Sequence, residues 1–373
     1  MTIKTLSFEN LPINKPLITD ITLDVSLYKM DNIENYRVLF SNICFVDAAY
    51  VTIEDSSFIT FRNLGILLDK FTYNHLNELN RYNLFISKTN INNKKINTIL
   101  LNANSKYIFI GGGVPFFFGH FIFEYLPRFE ALYNSNYVLE EYKIIVSSDF
   151  PQYCINIINL LYSNKFNFIK LDNKIKYNLN QLVLISSPFS RLFGSNCAFL
   201  FAEQEFLNIK NRLLRHTKIN YKKNDKQYLL ILSRSSNKIR ICQNIKLLIS
   251  MILINNLNRN EIIHINNIED YDISEQINLI NNASYIIEEM GSGTPFTGLV
   301  KKEATPWIIF GSNQFSAYAV RVLVSLLGNK PIFCTGEIIQ SEGFLNSRTH
   351  SIEYNYNLDV DKIFQLIQNM LKG

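Results

Sequence analysis

The second half of the chain alternates short apolar runs with helix-like segments, and this alternation limits the possible folds more than any other feature. After the polar stretch His216–Lys226, an apolar run at Gln227–Leu232 is followed by a helical pattern, and similar pairs recur to about residue 333. Short apolar strands that alternate with helices are typical of parallel βαβ units. The alternation therefore predicts an α/β domain built on a parallel sheet.

A similar block precedes it, from about residue 100 onward. Its first expected strand, Tyr107–Ile110, leads through a glycine triplet into a helical stretch that starts near Phe116. The first 100 residues instead carry short β-type runs separated by turn-forming residues. The expected division is an N-terminal Rossmann-like domain at 1–217 with a β-rich start at 1–100, a C-terminal Rossmann-like domain at 218–345, and a terminal loop and helix at 346–373, the helix at 353–370.

The composition excludes several classes of protein. The chain has 373 residues, of which 47% are hydrophobic, and this content is too high for a disordered protein. The net charge of +5 is too small and too dispersed to indicate nucleic-acid binding. The five cysteines are scattered without zinc-ligand spacing, which favours reduced thiols and a cytoplasmic protein. No secretory signal or membrane span is expected, so contact with a membrane is at most peripheral.

Basic residues and a glycine turn in the second block indicate an anionic, phosphate-bearing ligand. Ser233 and Arg234 follow a predicted strand directly, and Arg240 comes six residues after Arg234. Parallel sheets bind ligands at the carboxyl ends of their strands, where arginine suits phosphate recognition. The turn between a later strand and helix is formed by Gly291, Ser292, Gly293 and Thr294. Such a turn lets phosphate approach backbone N–H groups, although a plain tight turn would carry the same residues.

The start of another helix carries acids with two interpretations. Asp272 and Glu275 have the spacing of a capping box, which is a structural role. Glu275, with Gln276 beside it, is also a candidate for binding a nucleoside hydroxyl. Asp270 and Asp272 resemble a metal-binding pair of carboxylates, but the nearby basic residues already balance phosphate charge, so no metal is expected.

The run Gly119–Arg128 of the first block places ionisable residues among phenylalanines. His120 and Glu124 are four residues apart and therefore share one face of a helix. A carboxylate among apolar side chains has a raised pKa and becomes a better proton acceptor. Pro127 should kink or divide the helix. A purely structural His–Glu pair stays open as the alternative.

These motifs in this order resemble glycosyltransferase family 61. The matching segments are GHFIFEYLPR, ILSRSSNKIR and ISEQINLINNASYIIEEMGSG. The resemblance implies a GT-B fold, with two Rossmann-like domains facing a central cleft, and an inverting, metal-independent transfer from a nucleotide sugar. The chain differs from the family pattern at Met290, where many members have histidine, and at Phe296, where asparagine is common.

The resemblance also implies roles for the candidate residues. Glu124 is expected to be the catalytic base with His120 orienting or replacing it, and Arg128 lies on the acceptor side. Arg234, Arg240 and the Gly291–Gly293 turn are expected to hold the diphosphate, and Glu275 and Gln276 match an acid–amide pair. The expected partners are a nucleotide sugar, UDP-linked, and a glycan acceptor in capsule, lipopolysaccharide or other surface polysaccharide synthesis.

Two other functions stay open from the residues alone. A Rossmann-type dehydrogenase or epimerase needs a glycine fingerprint after its first strand and an acid about twenty residues later. The triplet Gly111–Gly113 follows a strand, but its spacing does not fit this fingerprint. A non-catalytic protein that binds glycans or nucleotides and retains the fold would carry the same motifs.

Overall fold

The structure, a computed structural model, describes the larger part of the chain. The described residues are 23–24, 37–38, 43–52, 58–61, 65–67, 98–102, 104–110, 118–134, 139–148, 150–171, 176–185, 203–216, 228–234, 240–255, 261–312, 331–345 and 352–372. The chain divides into two compact units, Met1–Ile209 and Lys210–Gly373. The division falls inside a helix, Glu203–His216, which ends just before the domain limit expected at residues 217 and 218.

The first unit contains a mixed sheet and a small separate ribbon. Its strands are β1 (Leu23–Asp24), β2 (Arg37–Val38), β3 (Ile43–Thr52), β4 (Phe58–Phe61), β5 (Gly65–Leu67), β6 (Thr98–Leu100), β7 (Lys106–Phe109), β8 (Tyr142–Ser147), β9 (Asn167–Leu171) and β10 (Lys176–Ile185). The sheet order is β5-β4-β3-β10-β7-β8-β9, with β6 also paired to β10, and β1 pairs β2 separately. Strands β10, β7, β8 and β9 are parallel, as the alternation predicts, whereas β3, β4 and β5 run antiparallel.

A helix with an irregular middle connects β7 to β8. Helix α1 (118–133) consists of an α segment at Phe118–His120, a π-helical turn at Phe121–Tyr125 and an α segment at Leu126–Tyr133. Pro127 lies in the first turn of the last segment, so the expected division of this helix is confirmed. Side chains of α1 such as Phe121, Leu126 and Phe129 are fully buried, because one face of the helix belongs to the core of this unit.

The remaining helices of the described chain follow the pattern of the sequence. They are α2 (Gln152–Tyr162), α3 (Glu203–His216), α4 (Ile245–Ile254), α5 (Ile273–Asn282), α6 (Thr294–Val300) and α7 (Val360–Lys372), with short 3₁₀ turns at Leu139–Glu141 and Ile268–Asp270. Among the described residues, no helix is long and apolar enough to span a membrane.

The second unit is a parallel sheet with one antiparallel edge strand. Its strands are β11 (Tyr228–Leu232), β12 (Glu261–Ile265), β13 (Tyr285–Glu289), β14 (Trp307–Ser312), β15 (Ile332–Leu345) and β16 (Ile352–Asn357), in the order β12-β11-β13-β14-β15-β16. Strands β11 to β15 are mutually parallel, and only β16 is antiparallel to its neighbour. Helices α4 and α7 share a core with one face of β11, β13 and β14.

The expected terminal helix at 353–370 is wrong over its first residues. Ile352–Asn357 forms β16, which pairs with β15, and the helix begins only at Val360. The alternation of large apolar and polar side chains in this short segment suits a strand, and pairing with the preceding strand β15 decides between strand and helix. The helix expected near residues 316–326 lies outside the described residues.

Candidate functional site

The donor-side residues predicted from the sequence lie at one edge of the second sheet. Residue Leu232 at the end of β11 is paired with Ile265 of β12 on one side and with Glu288 of β13 on the other. The strand order therefore reverses between β11 and β13, since the chain goes from β11 outward to β12 and then back past β11 to β13. Open α/β sheets bind their ligands at the carboxyl ends of the strands beside such a reversal.

Arg234 and the glycine turn meet at this point. The Arg234 side chain passes directly over Gly291, where an added Cβ atom would lie 3.1 Å from Arg234 Cδ and 3.2 Å from Nε. Its Nη1 donates to the Met290 carbonyl at 3.3 Å. No acceptor for its other guanidinium N–H groups is found among the described residues, so these groups can bind an anion in a forked arrangement.

The glycine turn presents two backbone amides. The Gly291 N–H is not one of them, because it donates to Thr294 Oγ1 at 2.9 Å inside the turn. Within the described part of the chain, the N–H groups of Ser292 and Gly293 have no acceptor, and a Cβ atom added at Gly293 would meet nothing within 4 Å. Thr294, a predicted donor-binding residue, is fully buried and holds the turn together. An anion can therefore approach the turn over Gly293.

Glu289, the last residue of β13, was not predicted from the sequence. Its carboxylate accepts hydrogen bonds from the Arg234 N–H at 2.8 Å, the Cys242 N–H at 2.7 Å and the Tyr356 hydroxyl at 3.0 Å. Only 3% of its surface is exposed. The sequence does contain a signal for it, because an acid at the end of an apolar strand is expected to be buried. A buried acid needs hydrogen-bond donors around it, since buried charges are paired or hydrogen-bonded.

Arg240 has an unusual backbone conformation. Its φ is +57°, in the left-handed region that residues other than glycine rarely adopt. The two following amides are held by buried side chains, since Ile241 N–H donates to Asn355 Oδ1 at 2.9 Å and Cys242 N–H to Glu289. Arg240 thus ends the same loop that Arg234 begins, and residues 235–239 between them lie outside the described residues.

Glu275 and Gln276 lie at the start of α5, after the neighbouring strand β12. The capping box is confirmed, because Asp272 Oδ1 accepts from the Glu275 N–H at 2.9 Å and Glu275 Oε2 accepts from the Asp272 N–H at 3.1 Å. Gln276 Nε2 donates to the Tyr271 carbonyl at 2.9 Å. Glu275 is exposed, so its capping role leaves it accessible to a ligand.

Three polar side chains meet where β11 and β12 end. Ser233 is buried, and its Oγ lies 2.9 Å from His264 Nε2 and 3.1 Å from Asn266 Oδ1. Partial burial lowers the pKa of His264. Because the Ser233 hydroxyl donates to Asn266, the His264 Nε2 nitrogen must carry the proton that points to Ser233.

The positions that depart from the family pattern are apolar and buried. Met290 is 7% exposed, and its Cε would lie 2.7 Å from a Cβ atom added at Gly311 on β14. Phe296 is 2% exposed inside α6. Both side chains therefore belong to the buried interior of the second unit.

The predicted catalytic residues belong to the first unit. His120 ends the first segment of α1 and Glu124 lies in its π-helical turn; the side chains of both are outside what the structure describes. Single π-helical turns inside α-helices occur frequently at functional sites. Arg128, predicted on the acceptor side, is fully buried, with its Cζ 6.0 Å from the centre of the Tyr125 ring.

The described residues contain no group of three or more His, Cys, Asp or Glu side chains that could hold a metal ion. Of the two acids weighed as a metal pair, Asp272 uses its carboxylate to cap α5. The donors that follow the ends of β11 and β13 are instead the Arg234 guanidinium and the backbone amides of Ser292 and Gly293, which suit an anion.

Comparison with known protein families gives a match, and its range covers residues of both units. Residues 118–296 match the family model described as Glycosyltransferase 61. The matched range begins with the first residue of α1 and ends inside α6, so it includes every predicted site residue of both units. No curated protein matches the chain.

Proposed function

Since this chain belongs to glycosyltransferase family 61 and is therefore a glycosyltransferase, we propose that it moves a sugar from a nucleotide sugar to a hydroxyl group of a glycan. The observation that carries the donor class is the position of Arg234 over Gly291, the first residue of a turn in which the N–H groups of Ser292 and Gly293 have no acceptor among the described residues. Cationic and amide donors at the reversal of a parallel sheet suit the diphosphate of a nucleotide sugar.

The proposed reaction follows from the charges that develop in it. Breaking the sugar–phosphate bond leaves negative charge on the departing diphosphate, and fixed N–H donors stabilise that charge in the transition state. Arg234 and the turn supply such donors. The attacking hydroxyl must lose a proton, and we assign Glu124 to accept it, with His120 as its orienting partner or substitute.

The finer features of the proposal rest on the family resemblance. They are an inverting transfer without a metal ion, a GT-B arrangement of the two units, a UDP-linked donor and an acceptor in surface polysaccharide synthesis. Inversion is consistent with one base and no nucleophile, because a single displacement changes the anomeric configuration. EDTA should leave the rate unchanged; if it stops the reaction, Asp270 and Asp272 become candidates for metal ligands.

The test is binding and transfer with the full chain. UDP, GDP and CMP and their sugar conjugates are titrated by calorimetry, and the donor that binds is then offered with glycan acceptors, with products read by mass spectrometry. Arg234→Ala should weaken nucleotide affinity about tenfold to a hundredfold, the usual cost of losing a charge-assisted contact. Arg215→Ala, which removes an exposed arginine at the end of α3, is the matched control. Binding of no sugar nucleotide would contradict the proposal.

A further inference from the structure

The loop that carries the donor-side arginines begins and ends on one carboxylate. Glu289 Oε2 accepts from the N–H of Arg234, the second residue after β11, and Oε1 accepts from the N–H of Cys242 at the end of the loop. The same Oε1 accepts from the Tyr356 hydroxyl of β16. A single side chain of β13 therefore closes the loop and ties it to another strand.

The buried position of this carboxylate is costly and calls for a reason. Taking a carboxylate out of water costs several kcal/mol unless hydrogen bonds replace its hydration. Glu289 obtains three such bonds, two of them from backbone amides that would otherwise lose their acceptor. An apolar side chain of similar size would pack equally well, but it would leave those amides without a partner.

The backbone at Arg240 shows how the described end of the loop is held. A residue other than glycine in the left-handed region costs about 1–2 kcal/mol and persists only where its surroundings demand it. Here the next two amides are bound by Asn355 and Glu289, which leaves the chain no freedom to relax. Glu289 thus helps to maintain a strained conformation beside the proposed donor site.

Arg234 is held at both of its ends by consecutive residues of β13 and the following turn. Its backbone N–H binds the Glu289 carboxylate, and its Nη1 binds the carbonyl of Met290. The side chain between these two contacts lies against Gly291. Its guanidinium is consequently held over the first residue of the glycine turn before any ligand binds. This preorganisation lowers the entropy cost of binding.

We propose that Glu289 is a positioning residue that places Arg234 for binding the diphosphate of the donor. This inference rests on the proposed function, since it assumes that a nucleoside diphosphate binds at the Arg234 turn. Glu289 itself has no contact with the ligand in this account, because its carboxylate is buried and already accepts three hydrogen bonds.

The first test uses Glu289→Gln and inorganic pyrophosphate, a probe that contains the diphosphate without a base or sugar. The glutamine is nearly isosteric, but its NH₂ group must face one of the N–H donors, so the loop has to shift. Calorimetry should show about tenfold weaker binding of pyrophosphate and of UDP, by the loss of one well-placed charge-assisted contact. Circular dichroism must show that the variant is folded at the temperature used.

Tyr356→Phe is the matched control. It removes one donor to Glu289 but leaves both contacts with the loop, so the protein should melt at a lower temperature while pyrophosphate affinity stays within about twofold. An equal loss of affinity in Tyr356→Phe and Glu289→Gln would show a general effect of stability and would overturn the proposal.

A double-mutant cycle separates positioning from a merely structural role. In the Arg234→Ala background, Glu289→Gln should weaken pyrophosphate binding much less than in the wild-type background, because its effect passes through Arg234. Equal fold losses in both backgrounds would overturn the proposal. Should Glu289→Gln fail to fold, Glu289→Asp, which keeps the charge but withdraws it from the loop, replaces it; wild-type affinity in folded Glu289→Asp would overturn the proposal as well.

The result for the wild-type protein separates a failure of the proposed function from a failure of the positioning role of Glu289. If the wild-type chain binds neither pyrophosphate nor any nucleotide, the proposed function itself fails. If it binds them and Glu289→Gln binds equally well, only the positioning role of Glu289 is wrong.

Discussion

Glu288 and Glu289 are adjacent and both buried, yet their surroundings differ. Successive residues of a strand face opposite sides of the sheet. Glu289 meets three hydrogen-bond donors on the side of the α4–α7 core. Glu288 faces α6, where the Thr297 hydroxyl donates to its Oε1 at 3.3 Å. Burial raises the pKa of Glu288 to about 8, although hydrogen bonds with Thr294 and Thr297 oppose this shift.

The raised pKa predicts a pH-dependent stability that Glu288→Gln should remove. Between about pH 4.5 and pH 8 the folded protein binds a proton at Glu288 more tightly than the unfolded chain does, so the free energy of unfolding falls as pH rises through this range. The fall is at most about 1.4 kcal/mol per pH unit. Urea denaturation at pH 5, 7 and 9 should show Glu288→Gln gaining stability relative to wild type as pH rises, and parallel profiles would contradict the raised pKa.

At the scale of single residues, the sequence predicted candidate ligand-binding residues such as Arg234, but it did not predict the buried residue that holds Arg234 in place. The approach of Arg234 to Gly291 could be expected because both follow neighbouring parallel strands. Glu289 could not, since its partners Cys242 and Tyr356 come from a loop end and from a strand that was expected to be a helix. Residues that bind ligands leave local signals, whereas their buried supports depend on distant contacts.

At the start of helix α5, Glu275 combines a structural role in the cap with a proposed role in binding. The capping box joins Asp272 and Glu275 reciprocally, so both interpretations of Glu275 are compatible with the structure. The cap satisfies amides that no residue inside the helix can satisfy. A side chain that caps a helix and is also exposed can still bind a hydroxyl group of a nucleoside.

Two substitutions should divide these roles. Asp272→Ala removes the side-chain cap and is expected to lower the free energy of unfolding by about 1 kcal/mol while UDP affinity stays unchanged. Glu275→Ala is expected to weaken UDP binding as well, because the proposed ribose contact is lost. Chemical denaturation and calorimetry measure the two effects. Wild-type UDP affinity in Glu275→Ala would leave this residue with the capping role alone.

Helix α1 shows what periodicity can and cannot predict about an element. The spacing of apolar residues predicted the helix, and Pro127 predicted its division. The π-helical turn at Phe121–Tyr125 was not expected, because a local widening of the helix depends on how the segments on both sides pack. Glu124 lies in this turn. The angle around the helix axis between Glu124 and His120 therefore differs from that between two residues four apart in a regular α-helix.

The two units carry different parts of the proposed reaction. Glu124 belongs to Met1–Ile209, and Arg234 with the glycine turn belongs to Lys210–Gly373. The pattern of alternating strands and helices predicted the parallel strands of both sheets, because βαβ units are encoded locally. The short β-type runs before residue 100 were predicted as well, but the long antiparallel pairing of β3 with β10 joins distant segments and could not be.

This division predicts that binding and catalysis can be separated by substitution. Glu124→Gln should reduce the transfer rate about a hundredfold or more, the usual contribution of a general base, and leave UDP affinity unchanged. Arg234→Ala should instead weaken donor binding. The comparison uses kcat and KM for the sugar nucleotide together with calorimetric UDP affinity. Glu140→Gln, which changes an exposed acid in the same unit, is the control. Unimpaired transfer by Glu124→Gln would remove it as the base and leave His120 as the candidate, because His120 is the other proton acceptor predicted in that helix.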